Sequence, residues 1–115
     1  MESLAPIAAQ LNAHVSVVEP GAVATEFRTN LNDSWLAAEA GDYGELFAAY
    51  VRRMESAFTN AQTAVDAAAV IAEACTAASP QLRYQTSPAA QAFAGAKLSD
   101  LNGSAIQGIT RRWVV

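Results

Sequence analysis

His14-Val15-Ser16-Val17-Val18-Glu19-Pro20-Gly21-Ala22-Val23-Ala24-Thr25-Glu26-Phe27 is the stretch that organises this chain. It opens as a short β-branched run, Val15, Val17 and Val18, stopped by Pro20-Gly21, which is the pattern of a buried strand over residues 15–19. Pro20 has no N–H to give a sheet ladder, and Gly21 reaches backbone angles that other residues avoid. The chain therefore leaves the sheet after Glu19 and turns sharply. In an open parallel sheet, ligands bind outside the carboxyl ends of the strands. Gly21 lets backbone approach a ligand there, and Thr25 adds a hydroxyl just beyond the turn.

Upstream, Leu4, Ile7, Ala8 and Leu11 recur at helical spacing and predict a helix over residues 1–11. Pro6 falls near its first turn, where a missing N–H costs little, and Asn12 suits its end. Downstream, residues 26–60 read as the longest irregular region. Within it, Leu31, Trp35 and Leu36 suggest a short helix, Gly41-Asp42-Tyr43-Gly44 a turn, and Leu46, Phe47, Tyr50, Val51 and Met54 a helical stripe. Asn60 or Thr59 is placed to cap a third helix over residues 61–78, with Val65, Ala68, Ala69, Ala72 and Thr76 marking its packing face and Val70 and Ile71 close beside it. Leu82-Arg83-Tyr84-Gln85-Thr86 alternates and predicts a second strand, stopped by Ser87-Pro88. Strand, long crossover and strand predict a parallel pair. Residues 88–97 suit a short helix, Leu101-Asn102-Gly103 a turn, and residues 106–115 either helix or extended chain.

Three segments carry a family resemblance. Pro20-Gly21-Ala22-Val23-Ala24-Thr25 resembles the Pro-Gly-x-Val/Ile-x-Thr segment after the sixth strand of the short-chain dehydrogenase/reductases. Met1-Glu2-Ser3-Leu4-Ala5-Pro6 resembles that family's helix entering the same strand, and Pro80-Gln81-Leu82-Arg83-Tyr84 resembles the segment leading into its last strand. The resemblance implies an α/β fold: the C-terminal portion of a Rossmann-like doubly wound parallel sheet, arranged strand–helices–strand. Residues 1–115 would form a single partial domain lacking the N-terminal half with the cofactor fingerprint. Residues 26–60 would be the substrate loop, a mobile lid with an apolar underside. The implied cofactor is NAD or NADP, with Pro20, Gly21, Val23 and Thr25 as cofactor-binding residues. In the family, backbone at the position of Val23 bonds the carboxamide, and the hydroxyl at the position of Thr25 contacts the cofactor nearby.

The chain departs from the family in two motifs. It has no Gly-rich turn after a first strand, and no Tyr-x-x-x-Lys. Lys97 is the only lysine and follows Phe93 by four, while Tyr43, Tyr50 and Tyr84 precede Phe47, Met54 and Pro88 by four. No catalytic residue is therefore expected among these 115, and the chain alone is expected not to transfer hydride.

Composition narrows the alternatives. The length suffices for one small domain and not for two. A net charge of −4 and a pI near 4.8 argue against nucleic acid, whose phosphates the surface would repel. Arg52-Arg53 and Arg111-Arg112 are short basic pairs, read as solvated surface. The longest apolar stretches carry Asp66 and Glu73, so no membrane partner is expected, and no basic start precedes an apolar core; a cytoplasmic protein is the expectation. Cys75 is alone, which excludes an intramolecular disulfide, and reads as a buried, inert thiol. His14 is the only histidine, which excludes a multi-histidine metal site, and it lies at the wrong end of its strand for the crevice. Glu39, Asp42 and Glu45 lack calcium-loop spacing and read as a solvated loop; no metal site is expected.

Two functions stay open. The first is part of an oxidoreductase moving hydride between NAD or NADP and an alcohol or carbonyl substrate. The second is a non-catalytic α/β interaction or oligomerisation module. In either, the strand over residues 15–19 has one partner in the chain, and Val15, Ser16, Val17 and Val18 give its other edge no charge, proline or bulge. Association is the expected remedy, as a homo-oligomer or with the missing N-terminal part.

Overall fold

A computed structural model describes residues 1–27, 29–30 and 38–114. The protein is mixed α/β, mostly helical, with two small parallel sheets. A 3-10 turn, Glu2–Leu4, runs into α1, Ala5–Ala9, whose first turn holds Pro6. Asn12, at φ 54°, ends this segment in the left-handed region that asparagine tolerates. The expected helix is present, with its apolar side uncovered: Leu4, Ile7 and Leu11 are exposed.

The expected parallel pair is also present. β1, Val17–Glu19, lies beside the strand Arg83–Gln85, with Val17 opposite Arg83, Val18 opposite Tyr84 and Glu19 opposite Gln85. It is shorter than the expected residues 15–19, and just before it the Ser16 hydroxyl donates to the Gln81 carbonyl at 2.8 Å. Side chains tie the pair crosswise. Glu19 accepts from the Gln85 amide at 2.6 Å and from Arg83 Nη1 at 2.5 Å, while Arg83 Nε donates to Glu2 Oε1 at 3.0 Å. The 3-10 turn is thereby anchored to the sheet.

A second ladder was not legible beforehand. β2, Val23–Ala24, pairs in parallel with β3, Gln62–Thr63. Between them lies α2, Gly44–Thr59, on which Phe47, Val51, Met54 and Phe58 form a half-buried stripe. The helix read from Leu31, Trp35 and Leu36 falls outside the described residues.

β3 corrects the reading of the next helix. α3 is Ala64–Thr76, not 61–78, since Gln62 and Thr63 are in a strand. Its cap is Thr63 rather than Asn60 or Thr59: the Thr63 hydroxyl accepts from the Asp66 N–H at 3.0 Å and donates to Asp66 Oδ2 at 2.7 Å. The packing face differs too. Ala67 is 7% exposed and Val70 and Ala74 are half-buried, whereas Val65 is 77% exposed and Ala68, Ala69, Ala72 and Thr76 are exposed with it. Alanines stand all round this helix, so its apolar periodicity has no clear phase, and the contacts with β2 and the Arg83–Gln85 strand set the phase instead. Cys75 follows the same correction: it is exposed, not buried. His14 is exposed.

The Arg83–Gln85 strand, β4, leads into α4, Pro88–Ser99. Ser87 caps α4, its Oγ accepting from the Ala90 N–H at 3.2 Å, with Pro88 in the first turn. Gly103, at φ 78°, starts α5, Ser104–Arg111, and Asp100 Oδ2 accepts from the Ile106 N–H at 2.9 Å. Residues 106–111 of the ambiguous tail are thus helix.

The core is small. Among the described residues only Ala67, Tyr84, Thr86 and Ala94 are buried. The Tyr84 hydroxyl accepts from the Gln81 N–H at 2.9 Å. The accessible surface is 8456 Å², against roughly 6,000 Å² for a compact monomer of this mass. The radius of gyration is 17.5 Å, where about 13 Å is usual for this length. Among the described residues no helix is long and apolar enough to cross a membrane.

Candidate functional site

Both strands of the first sheet end in a loop that begins with a constrained residue pair. After Glu19 comes Pro20-Gly21; after Gln85 comes Thr86-Ser87. Thr86 fastens the two loops together. Its buried hydroxyl accepts from the Gly21 N–H at 3.1 Å and from the Gln62 side-chain amide, which draws the second sheet to the same point. Gln62 Oε1 is buried and has no partner among the described residues. Turning this amide over would let the Thr86 hydroxyl donate to Oε1 and would orphan the –NH₂ instead.

Gly21 is required by this contact. A Cβ built on it would lie 2.6 Å from Ser87 Oγ, the oxygen that caps α4. The glycine thus lets the two strand-end loops close on each other, a structural demand from within the chain.

The fastened loops form the floor of a groove of about 820 Å³. α2 supplies one wall through Arg53, Ser56 and Ala57, and the start of α4 supplies another. Phe93 of α4 and Trp113 close one side, their rings stacked with centroids 6.0 Å apart and planes 24° from parallel. The groove lies at the carboxyl ends of β1 and β4, where ligands of open α/β sheets bind.

Of the four expected cofactor-binding residues, Pro20 and Gly21 line this groove and Val23 and Thr25 do not. Among the described residues Val23 nevertheless has free backbone. The Gln62 N–H donates to the Ala22 carbonyl at 3.0 Å, and Val23 stands opposite Gln62 in the ladder. In parallel pairing, that arrangement points the Val23 N–H and C=O to the edge away from β3. The exposed Thr25 holds its own turn, its Oγ1 accepting from the Phe27 N–H at 3.3 Å. Its hydroxyl hydrogen is left for another acceptor.

Near the same strand ends, the Glu19 carboxyl is held below its ordinary pKa, first by the Gln85 amide and then by the Arg83 guanidinium. Glu39, Asp42 and Glu45 are exposed and lie off the groove. Sequence reasoning missed Thr86, Gln62, Arg53 and Trp113. Only Thr86 left a signal, as the hydroxyl between a strand and a Ser-Pro helix start.

Fold and groove together define the class: a mixed α/β protein with a groove at the ends of its parallel strands. No family model and no curated protein matches the chain.

Proposed function

We propose that this chain is the C-terminal portion of a Rossmann-like short-chain dehydrogenase/reductase and forms the nicotinamide-side wall of its NAD(P) site. The supporting observation is the pair of strand-end loops, fastened through Thr86 and opening on a groove lined by Pro20 and Gly21. The residues fit the cofactor's carboxamide. Val23 follows the groove-lining Ala22 without lining the groove itself, and among the described residues its N–H and C=O are unpaired on one edge, the donor and acceptor that an amide requires. Thr25 retains a donor. When bound, the nicotinamide supplies or accepts the hydride for an alcohol or carbonyl substrate. This chain's own part is to seat and orient the ring; the proton-transfer groups of the family are not among its residues.

NMR titration of the ¹⁵N-labelled chain with reduced nicotinamide mononucleotide tests the reading. Weak, saturable shifts at the Gly21 and Val23 amides are expected, with little change on adding adenosine diphosphate. Unmoved Gly21 and Val23 amides at millimolar nucleotide would refute it. In the same sample, no substrate-dependent change in nicotinamide absorbance is expected, since Tyr-x-x-x-Lys is absent.

A second reading, an association module, is favoured by the surface area. The roughly 2,400 Å² beyond a compact monomer's surface is what an extensive obligate interface covers on one partner. The two readings are compatible, and association as a homo-oligomer or with an N-terminal part belongs to both.

A further inference from the structure

We propose that the outer part of the groove takes an organic carboxylate with a flat apolar body, the acid held by Arg53 and the body lying along Trp113. This rests on the groove being the substrate side of the hydride-transfer site proposed above.

Among the described residues Arg53 is the only charged one lining the groove, and again the only one lining a smaller cavity of about 190 Å³ beside it. The smaller cavity is bounded by Tyr50, Arg53, Met54, Ala57 and Trp113, so three residues serve both spaces. Among the described residues Arg53 has neither an ion-pair nor a hydrogen-bond partner, although acids outnumber bases in the chain. An exposed arginine on a helix is ordinarily just solvated. In the smaller cavity its neighbours are an alanine methyl, a thioether and two aromatic rings, and the polar side chains of the larger groove, Ser56, Asn60, Gln62 and Ser87, are neutral, so no carboxylate among the described lining residues competes for its five donors. A guanidinium presents those donors as a planar fork that matches a carboxylate with two parallel hydrogen bonds. Trp113 is common to both spaces as well, with Ala57. Phe93 stacks on it and lines the groove with it, so that the two rings give a flat apolar surface. A cationic ligand would meet Arg53 unfavourably, and a neutral one would leave its donors unused.

The test follows Trp113 fluorescence in a Trp35→Phe background, which leaves Trp113 as the only tryptophan. The probes are 4-phenylbutyrate, 4-phenylbutanol and 4-phenylbutylamine. Saturable quenching by the acid is expected, with the alcohol and amine weaker by about tenfold or more, the usual worth of a charge-assisted hydrogen bond. Arg53→Gln should weaken the acid by a similar factor and leave the alcohol unchanged, with helical circular dichroism intact because Arg53 is exposed. Equal binding of acid and alcohol, indifference to Arg53→Gln, or no saturable quenching would each overturn the inference. Reduced nicotinamide mononucleotide is titrated separately. If it moves Gly21 and Val23 while the acid fails to bind, the carboxylate inference falls and the nicotinamide reading stands. If the acid binds through Arg53 while the nucleotide moves neither amide, the nicotinamide reading falls and the binding of a carboxylate stands.

Discussion

At the scale of single residues, the strand-end floor depends on three small residues, Gly21, Thr86 and Ser87. Gly21 cannot carry a Cβ unless Ser87 Oγ moves, and Ser87 Oγ is the cap of α4. Gly21→Ala should therefore cost about 1 kcal/mol, the value of a lost cap. In a Ser87→Ala background the same change should cost much less, because the remaining neighbours lie at ordinary contact distances of 3.6 and 3.7 Å. Urea unfolding of the four proteins checks this; strictly additive losses would contradict it. Thr86→Val keeps the shape but strands the Gly21 N–H and the Gln62 amide, at about 1–3 kcal/mol, whereas Thr86→Ser should recover most of that. Glu19 gives a pH signature. Its folded pKa is lowered, so its contribution is fully present above the ordinary value of 4.5 and is lost as pH falls through the lowered value. The urea midpoint of the wild type should exceed that of Glu19→Gln at neutral pH, and the gap should close in acid. A gap unchanged down to pH 3 would rule this out. Pro20-Gly21 was legible as a turn because proline and glycine act locally. The reason for Gly21 was not, because it lies in Ser87, which is close only after folding.

At the scale of elements, the parallel pair was legible from a β-branched run and an alternating run, each stopped by proline. The β2–β3 ladder was not, since two residues per strand carry no period. The phase of α3 was misread for a related reason: with alanine on every side, the strand contacts and not the pattern choose the inward face. Ala67→Leu should thus overpack the contact with the sheets and cost about 1–3 kcal/mol, while Ala68→Leu should change stability by less than about 0.5 kcal/mol. Thermal melts of the two variants compare the faces directly, and the opposite order would restore the face read from periodicity. The wall made by Arg53 and Trp113 was illegible in a different way. It joins the middle of α2 to the end of the chain, and neither segment carries a motif.

At the scale of the molecule, a small core and a large surface set the behaviour. Among the described residues β1 pairs only with β4, so its other edge offers unpaired backbone beside Val17 and Val18. Leu4, Ile7 and Leu11 of the first helical segment are uncovered, as is Val65 of α3. Two-stranded sheets are marginal in water without further strands or packed helices. These features agree with a portion of a larger doubly wound sheet, and that is the central claim. Its most direct test is light scattering coupled to size-exclusion chromatography at micromolar concentration, followed by urea unfolding of the eluted species. The account predicts particles of at least two chains, with an unfolding midpoint that rises with protein concentration. A monodisperse species at the 12.0 kDa chain mass that unfolds cooperatively and independently of concentration would contradict it.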